Sequence, residues 1–393
     1  MNKGLTVEGD TFISSTSGTL FSFFVNGSLT SLSTLQVGGA GDGNLFVDGG
    51  HIASQYGIVG PNAPNQNSTM TVSGPGASWT LNQSLTIGAA TKGTLTIQDQ
   101  GLVYVGDQLM ITNQGVVNFF NGTLRFDTYS RAAGGLFNFY AGTIQLEGSR
   151  TVGTDPAIID LFGVTPTLTA GKGLTIEGAT TLLTTLLIDG GTFTAPSVAG
   201  GQNLQLRRGT LNLTVQSVTI GSGGLLGSAL DLPSDMTVNV TGGITNQGLV
   251  TGDGQIGGTF TNAAAGELRG EPGKSLKLTG ANNVNAGQIN LFGGMVEFTQ
   301  NLTNNSGGFI SGNGTLKVGT LLTNSGIMNF SGLANIVGDV TNNAGAKIIS
   351  SGGGPTTFLD DLTTTAKSAP APAPLPPSSA PSAAAAPTRA PAP

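Results

Sequence analysis

The chain has 393 residues, of which only 9% are charged, with 64 glycines, no cysteine, a net charge of −6 and a pI near 4.7. An ordinary soluble domain carries roughly 25% charged residues, so the polar surface here must come from Ser, Thr, Asn, Gln and Gly, which suits strands stacked about 4.8 Å apart. The same totals exclude a basic field for nucleic acid, disulfides, thiolate nucleophiles and cysteine-based metal sites.

At the N-terminus the most apolar run is "LFSFFV" at 20–25. It is far short of the roughly 18 residues a membrane-spanning helix needs. The "GLTVEGD" that follows Lys3 breaks the pattern of a signal peptide. Membrane insertion by this segment is therefore not expected, and any export signal is expected elsewhere or ahead of Met1.

"LQVGGAGDGNLFVDGGHI" (35–52) aligns with "LTIGAATKGTLTIQDQGLV" (85–103) at an offset of 50 that slips to 51. Two or three coils of a repeat per offset account for that. In this alignment the sole histidine, His51, matches Leu102, and Ile52 matches Val103. His51 is thus expected to face solvent and to take no catalytic role. "GGAGDGNLF" (38–46) approaches a Gly-Gly-x-Gly-x-Asp calcium repeat, but it is one residue short and not tandem, so no metal is expected there.

Farther along, one ten-residue pattern is written four times: "VNFFNGTLRF" (117–126), "FNFYAGTIQL" (137–146), "LQLRRGTLNL" (204–213) and "INLFGGMVEF" (289–298). Apolar residues alternate on both sides of a central glycine, which predicts strand, sharp bend, strand. Val117, Phe119, Leu124 and Phe126 should face inward, as should Phe137, Phe139, Ile144 and Leu146. Gly122, Gly142, Gly209 and Gly294 should sit at the corners, where a Cβ is costly.

Asparagine before a turn is a second signal. "ITNQG" occurs at 111–115 and again at 244–248, and Asn246, Asn262, Asn285, Asn304, Asn324 and Asn342 span 96 residues in five steps of about 19. That step is the length of one coil of a parallel β-helix, and stacked asparagines can bond amide to amide. A β-sandwich array is the competing architecture. The regular step, the glycine corners and the lack of proline-rich linkers favour the solenoid, and helix is scarcely expected before the tail.

"TMTVSGPGASWTLNQSLTIGAATKGTLTIQDQGLV" (69–103) resembles the strand repeats of bacterial autotransporter passenger domains and related exported surface β-helix proteins. Val72, Ser73, Gly74, Gly76 and Trp79 carry the likeness, with Leu85, Ile87 and Gly88. "LTNNSGGFISGNGTLKVG" (302–319) is similar to repeats in large planctomycete-type secreted proteins. The resemblance covers about residues 35–360 and implies the fold. Passengers of this kind include adhesins, proteases and structural shafts, so it leaves the activity open. A C-terminal translocator barrel and a sorting anchor, which such families carry, are not read in this chain.

Candidate chemistry is sparse. Asp42, Asp48, Asp99, Asp107, Asp127, Asp189 and Asp253 mostly adjoin glycine and read as turn residues. Asp360 and Asp361, adjacent on a strand, would point to opposite faces and could not flank one glycosidic bond. A Ser-His-Asp arrangement is not expected, because His51 is the only histidine and reads as solvent-facing. Arg207–Arg208 fall at a motif corner and are expected to be solvated. Outward threonines in "GTLTIQ" (93–98) and "TPTLTAG" (165–171) suggest an ice-binding array, but they are not in register over many coils. Trp79 is expected to fill the interior or cap a coil, with sugar stacking the lesser alternative.

The sequence therefore predicts an all-β, right-handed parallel β-solenoid over 1–362, some 17–19 coils and of order 80–90 Å long. A disordered Pro/Ala-rich tail follows over 363–393, holding nine of the 18 prolines from 366 onward. The stretch 354–366 reads as a coil cut midway, by truncation or before a spacer. The expected role is a non-enzymatic exported or cell-surface shaft or adhesin-like module contacting carbohydrate or other surface proteins, with no cofactor, no metal and no catalytic residue. The alternative is a polysaccharide-active lyase or hydrolase.

Overall fold

The computed structural model describes residues 4–15, 21–61 and 67–365. Of the expected tail 363–393, Thr363 and Thr364 instead complete a strand, Leu362–Thr364, in register with Thr341 and Asn342, and the stretch from 366 lies outside the described residues. The chain is an all-β parallel solenoid of about 17 turns. Every strand pairing is parallel, between one coil and the next, and the strands fall into sheets of 32, six and three. The largest wraps around the molecule because long strands bend at corners. Gln288–Phe298 pairs through its first half with Glu267–Arg269 and through its second with Ser275–Leu278.

Period-two sequence becomes core directly. One file of inward side chains runs from Leu29 through Ile52, Trp79, Val103, Leu124 and Ile144, each the register partner of the next. The file continues through Leu174, Phe193, Leu211, Val238 and Ile256, and then through Leu278 and Phe298 to Val318. All are buried. Each such side chain contributes about 1.5–3 kcal/mol on leaving water, and no coil buries enough alone, so stacking makes the core. The 51-residue alignment is now explained as two coils: His51 stacks under Ser78, and Ser78 under Leu102.

The first two copies of the ten-residue pattern lie one on the other, Val117–Phe119 against Phe137–Phe139 and Leu124–Phe126 against Ile144–Leu146. Val117, Phe119, Leu124, Phe126, Ile144 and Leu146 are buried, while Phe137 and Phe139 are partly buried. The corner glycines serve two different needs. Gly209 has φ 104°, a region L side chains avoid. At Gly294 the constraint is space, because a Cβ there would lie 2.0 Å from the Glu271 carbonyl oxygen.

The asparagine steps form a ladder inside the solenoid. Asn246 donates its amide to Asn262 at 2.8 Å, and 262→285, 285→304, 304→324 and 324→342 follow at 2.7 Å each. Their amides also reach backbone carbonyls, as Asn262 does to Gln288 at 2.9 Å. The rungs from Asn246 to Asn324 are buried, and buried amides persist only when satisfied in this way. The step is less even than its mean, ranging from 16 to 23 residues. The earlier "ITNQG" is not a rung: Ile111 ends its strand and Asn113 is exposed in the following turn.

One expectation fails. An α-helix, Pro156–Phe162, interrupts the strands. Asp155 caps it by accepting from Ile158 N at 3.0 Å, Pro156 sits in the first turn and Gly163 ends it, which are ordinary start and stop signals. Ala157 and Ile158 are buried. Among the described residues no helix is long and apolar enough to cross a membrane. The final coil carries Lys347–Ser351, Thr356–Phe358 and Leu362–Thr364, all in register with the coil beneath.

Candidate functional site

The residues picked out in the sequence are dispersed along the solenoid. His51 is exposed and its Nδ1 lies 2.9 Å from Ser78 Oγ. Trp79 is fully buried, donates to Ser54 Oγ at 3.1 Å and lies over Gly57, so it is a core residue. Asp42 and Asp253 accept from the backbone of the next coil, and Asp99 and Asp107 from hydroxyls of the preceding one, which is turn chemistry. Asp48 is exposed at the end of its strand. Asp360 and Asp361 are not on a strand: they form the corner between Thr356–Phe358 and Leu362–Thr364. There Asp360 accepts from Gly338 N at 2.7 Å, and Asp361 N donates to Asp339.

Asp127 and Asp189 depart from the turn reading, since both are ion-paired. Asp189 holds Arg208 at 2.5 Å and Arg207 at 3.4 Å, although those arginines remain 58% and 73% exposed at their corner. Asp127 holds Arg150 at 2.8 Å, and Arg150 also reaches Asp155 at 3.3 Å.

Asp127 belongs to a constellation that sequence spacing concealed. Phe126, Leu146 and Ile176 are register partners in three successive coils, so Asp127, Glu147 and Glu177, one residue later, stack as a column. Arg125 faces it from the outer side of the same wall. It binds Glu177 through two nitrogens at 2.6 and 2.9 Å, contacts Glu147 at 3.3 Å and lies 4.3 Å above the Tyr104 ring. Gln145 donates to Glu177 at 2.5 Å. The Arg125 hydrogen bonds hold the Glu177 carboxyl below the ordinary range, while Glu177 raises Arg125. A second cluster docks the helix: Arg131 binds Asp160 at 2.6 and 2.8 Å, and Tyr129 Oη donates to it at 2.7 Å. Asp160 is lowered chiefly by Arg131, and Tyr129 is raised chiefly by burial.

Each carboxylate of this column faces a guanidinium. All six arginines among the described residues pair with a carboxylate. A cleft of about 450 Å³ between Gly200–Gln202 and Gly223–Gly227 is lined by glycines, by Val198, Ala199 and Leu225, and by Gln202 and Gln216, with no titratable group. Among the described residues no group of three His, Cys, Asp or Glu is placed to hold a metal ion. Of the two threonine segments, Thr69 and Thr71 stack under Thr94 and Thr96, but the next coil has Val116 and Asn118; Thr167 and Thr169 meet Leu187 and Asp189.

No protein-family model matches the chain, and no curated protein matches it. Among solved structures it is similar to a TibC-catalysed hyper-glycosylated TibA fragment, at 15% identity over 88% of this chain and 100% of that one, with a TM-score of 0.16. A likeness that slight carries nothing about function.

Proposed function

We propose that this protein is a non-enzymatic β-solenoid, exported or displayed at a cell surface, that acts as a shaft or adhesin-like module and contacts carbohydrate or protein through its outer walls. The observation that carries the reading is the parallel coil-on-coil stacking that continues, through local register shifts and one inserted helix, along about 17 turns. It makes a rod whose walls repeat every 4.8 Å or so, a surface suited to repeated contacts along its length. The lowered Glu177 carboxyl supports it, because a general acid at neutral pH needs a carboxyl raised, not lowered. The resemblance of 69–103 to autotransporter passengers gives the expectation of export.

Incubating the full chain with plant and microbial polysaccharides tests this reading. Retention without new reducing or unsaturated ends is expected, and appearance of such ends would overturn it. A second reading, a polysaccharide-active enzyme, is favoured by the Asp127–Glu147–Glu177 column alone. Under it, cleavage would be found and Glu177→Gln would abolish it.

A further inference from the structure

The Ile/Phe/Leu-Thr-Asn repeat does more than build the interior. Each ladder asparagine is preceded by a residue on the outer face of the same strand, and the equivalent position continues one coil to either side of the ladder. Those residues stack in register from Thr219 through Thr245, Thr261, Val284, Thr303 and Thr323 to Thr341 and Thr363. Seven of the eight are threonine, and together they form a file roughly 34 Å long at strand spacing. The end residues are exposed and the six between them half-buried.

Charge is kept off this wall. The position after each ladder asparagine, including Ala263, Asn305, Ser325 and Asn343, carries no charge. Carboxylates approach only in the last two coils, at Asp339 and Asp361. The adjoining walls of the same coils carry the ion pairs: Glu297 with Lys317 at 2.9 Å, stacked over Lys277, and Glu267 with Arg269 at 2.8 Å. β-propensity explains threonine on any outward strand position. It does not explain why one wall takes threonine in almost every coil while its neighbours mix Thr, Asn, Gln and Ser with Lys, Glu and Arg.

We propose that this threonine wall is the surface on which the protein binds a neutral polysaccharide, laid along the solenoid axis with its hydroxyls against the threonine file. The proposal rests on the surface-module reading and names its ligand class and face. A face without charge has nothing with which to select an anionic polymer over a neutral one, and the net charge of −6 disfavours anions. The array is regular in one dimension only, since the neighbouring file varies between Gln, Ala, Asn and Ser. That fits a linear polymer, whereas an ice lattice needs regularity in two. Hydroxyl files exchange hydrogen bonds with sugar hydroxyls at little desolvation cost, and every added coil extends the contact.

The test uses the full chain and measures retention on insoluble cellulose, chitin and mannan, with polygalacturonate as the anionic comparison. The native protein should be held by at least one neutral polymer in preference to polygalacturonate. Thr303→Val/Thr323→Val keeps the branched shape and removes two hydroxyls; Thr303→Lys/Thr323→Lys adds charge at the same places. Both should lower retention tenfold or more, while Gln255→Lys on the adjoining wall leaves it unchanged. Unfolding midpoints of the variants establish that the fold survives. No retention on any neutral polymer, equal retention by the Thr303/Thr323 variants, or a larger loss from Gln255→Lys would overturn the assignment of ligand and face. New reducing ends would instead overturn the non-enzymatic reading, so the two failures are told apart.

Discussion

A single amide shows how narrowly position determines what a residue does. Asn285 accepts from Asn262 and donates to Asn304, both at 2.7 Å, in a fully buried setting. Asn285→Ala strands a donor on one neighbour and an acceptor on the other, and is expected to cost about 2–4 kcal/mol in a urea midpoint measurement. Asn113→Ala, in the identical "ITNQG" context but exposed, should stay within about 0.5 kcal/mol. The two motifs cannot be told apart by their own letters. What separates them is strand phase, because Ile111 ends a strand and Ile244 begins one. Gly294→Ala is the steric counterpart. Its Cβ would meet a backbone carbonyl that cannot rotate away, so a loss of about 2–3 kcal/mol is expected, although φ at Gly294 is not in the left-handed range.

At the scale of elements, strands and corners were legible because period two and glycine are local signals. The Asp127–Glu147–Glu177 column was not. Its members stand 20 and 30 residues apart, and the helix Pro156–Phe162 falls within the longer gap, so no constant period reveals them. The helix itself was legible in "DPAIIDLFG", where a cap, a proline and a terminal glycine bracket seven residues without glycine, and the strand pattern around it hid the signal. Its docking should be pH-dependent. Arg131 and Tyr129 hold Asp160 below its ordinary value of 3.8. A carboxyl depressed on folding adds stability above the unfolded value, and this is lost as pH falls through the folded one. Asp160→Asn should therefore cost about 1–2 kcal/mol at pH 7. Against the native protein, that difference should shrink toward zero as the pH is taken below 3.8; a constant difference would refute the assignment.

For the molecule as a whole, coil-on-coil stacking means that each turn contacts only its neighbours, so stability is nearly a sum of local terms along one axis. The Asn ladder couples six coils in the C-terminal half. The N-terminal half has no such ladder of buried amides among the described residues and relies on packing around Trp79, Phe119 and Phe126. A break at one rung should then be felt locally. In Asn285→Ala, amide hydrogen exchange should accelerate over the ladder coils between Asn246 and Asn342, most strongly at Val284 and Thr303. Protection over Lys92–Gln98 and Gly115–Phe119 should be unchanged. A uniform rise along the chain would mean that the solenoid opens as one cooperative unit, in which case the ladder sets its total stability and not the independence of its halves.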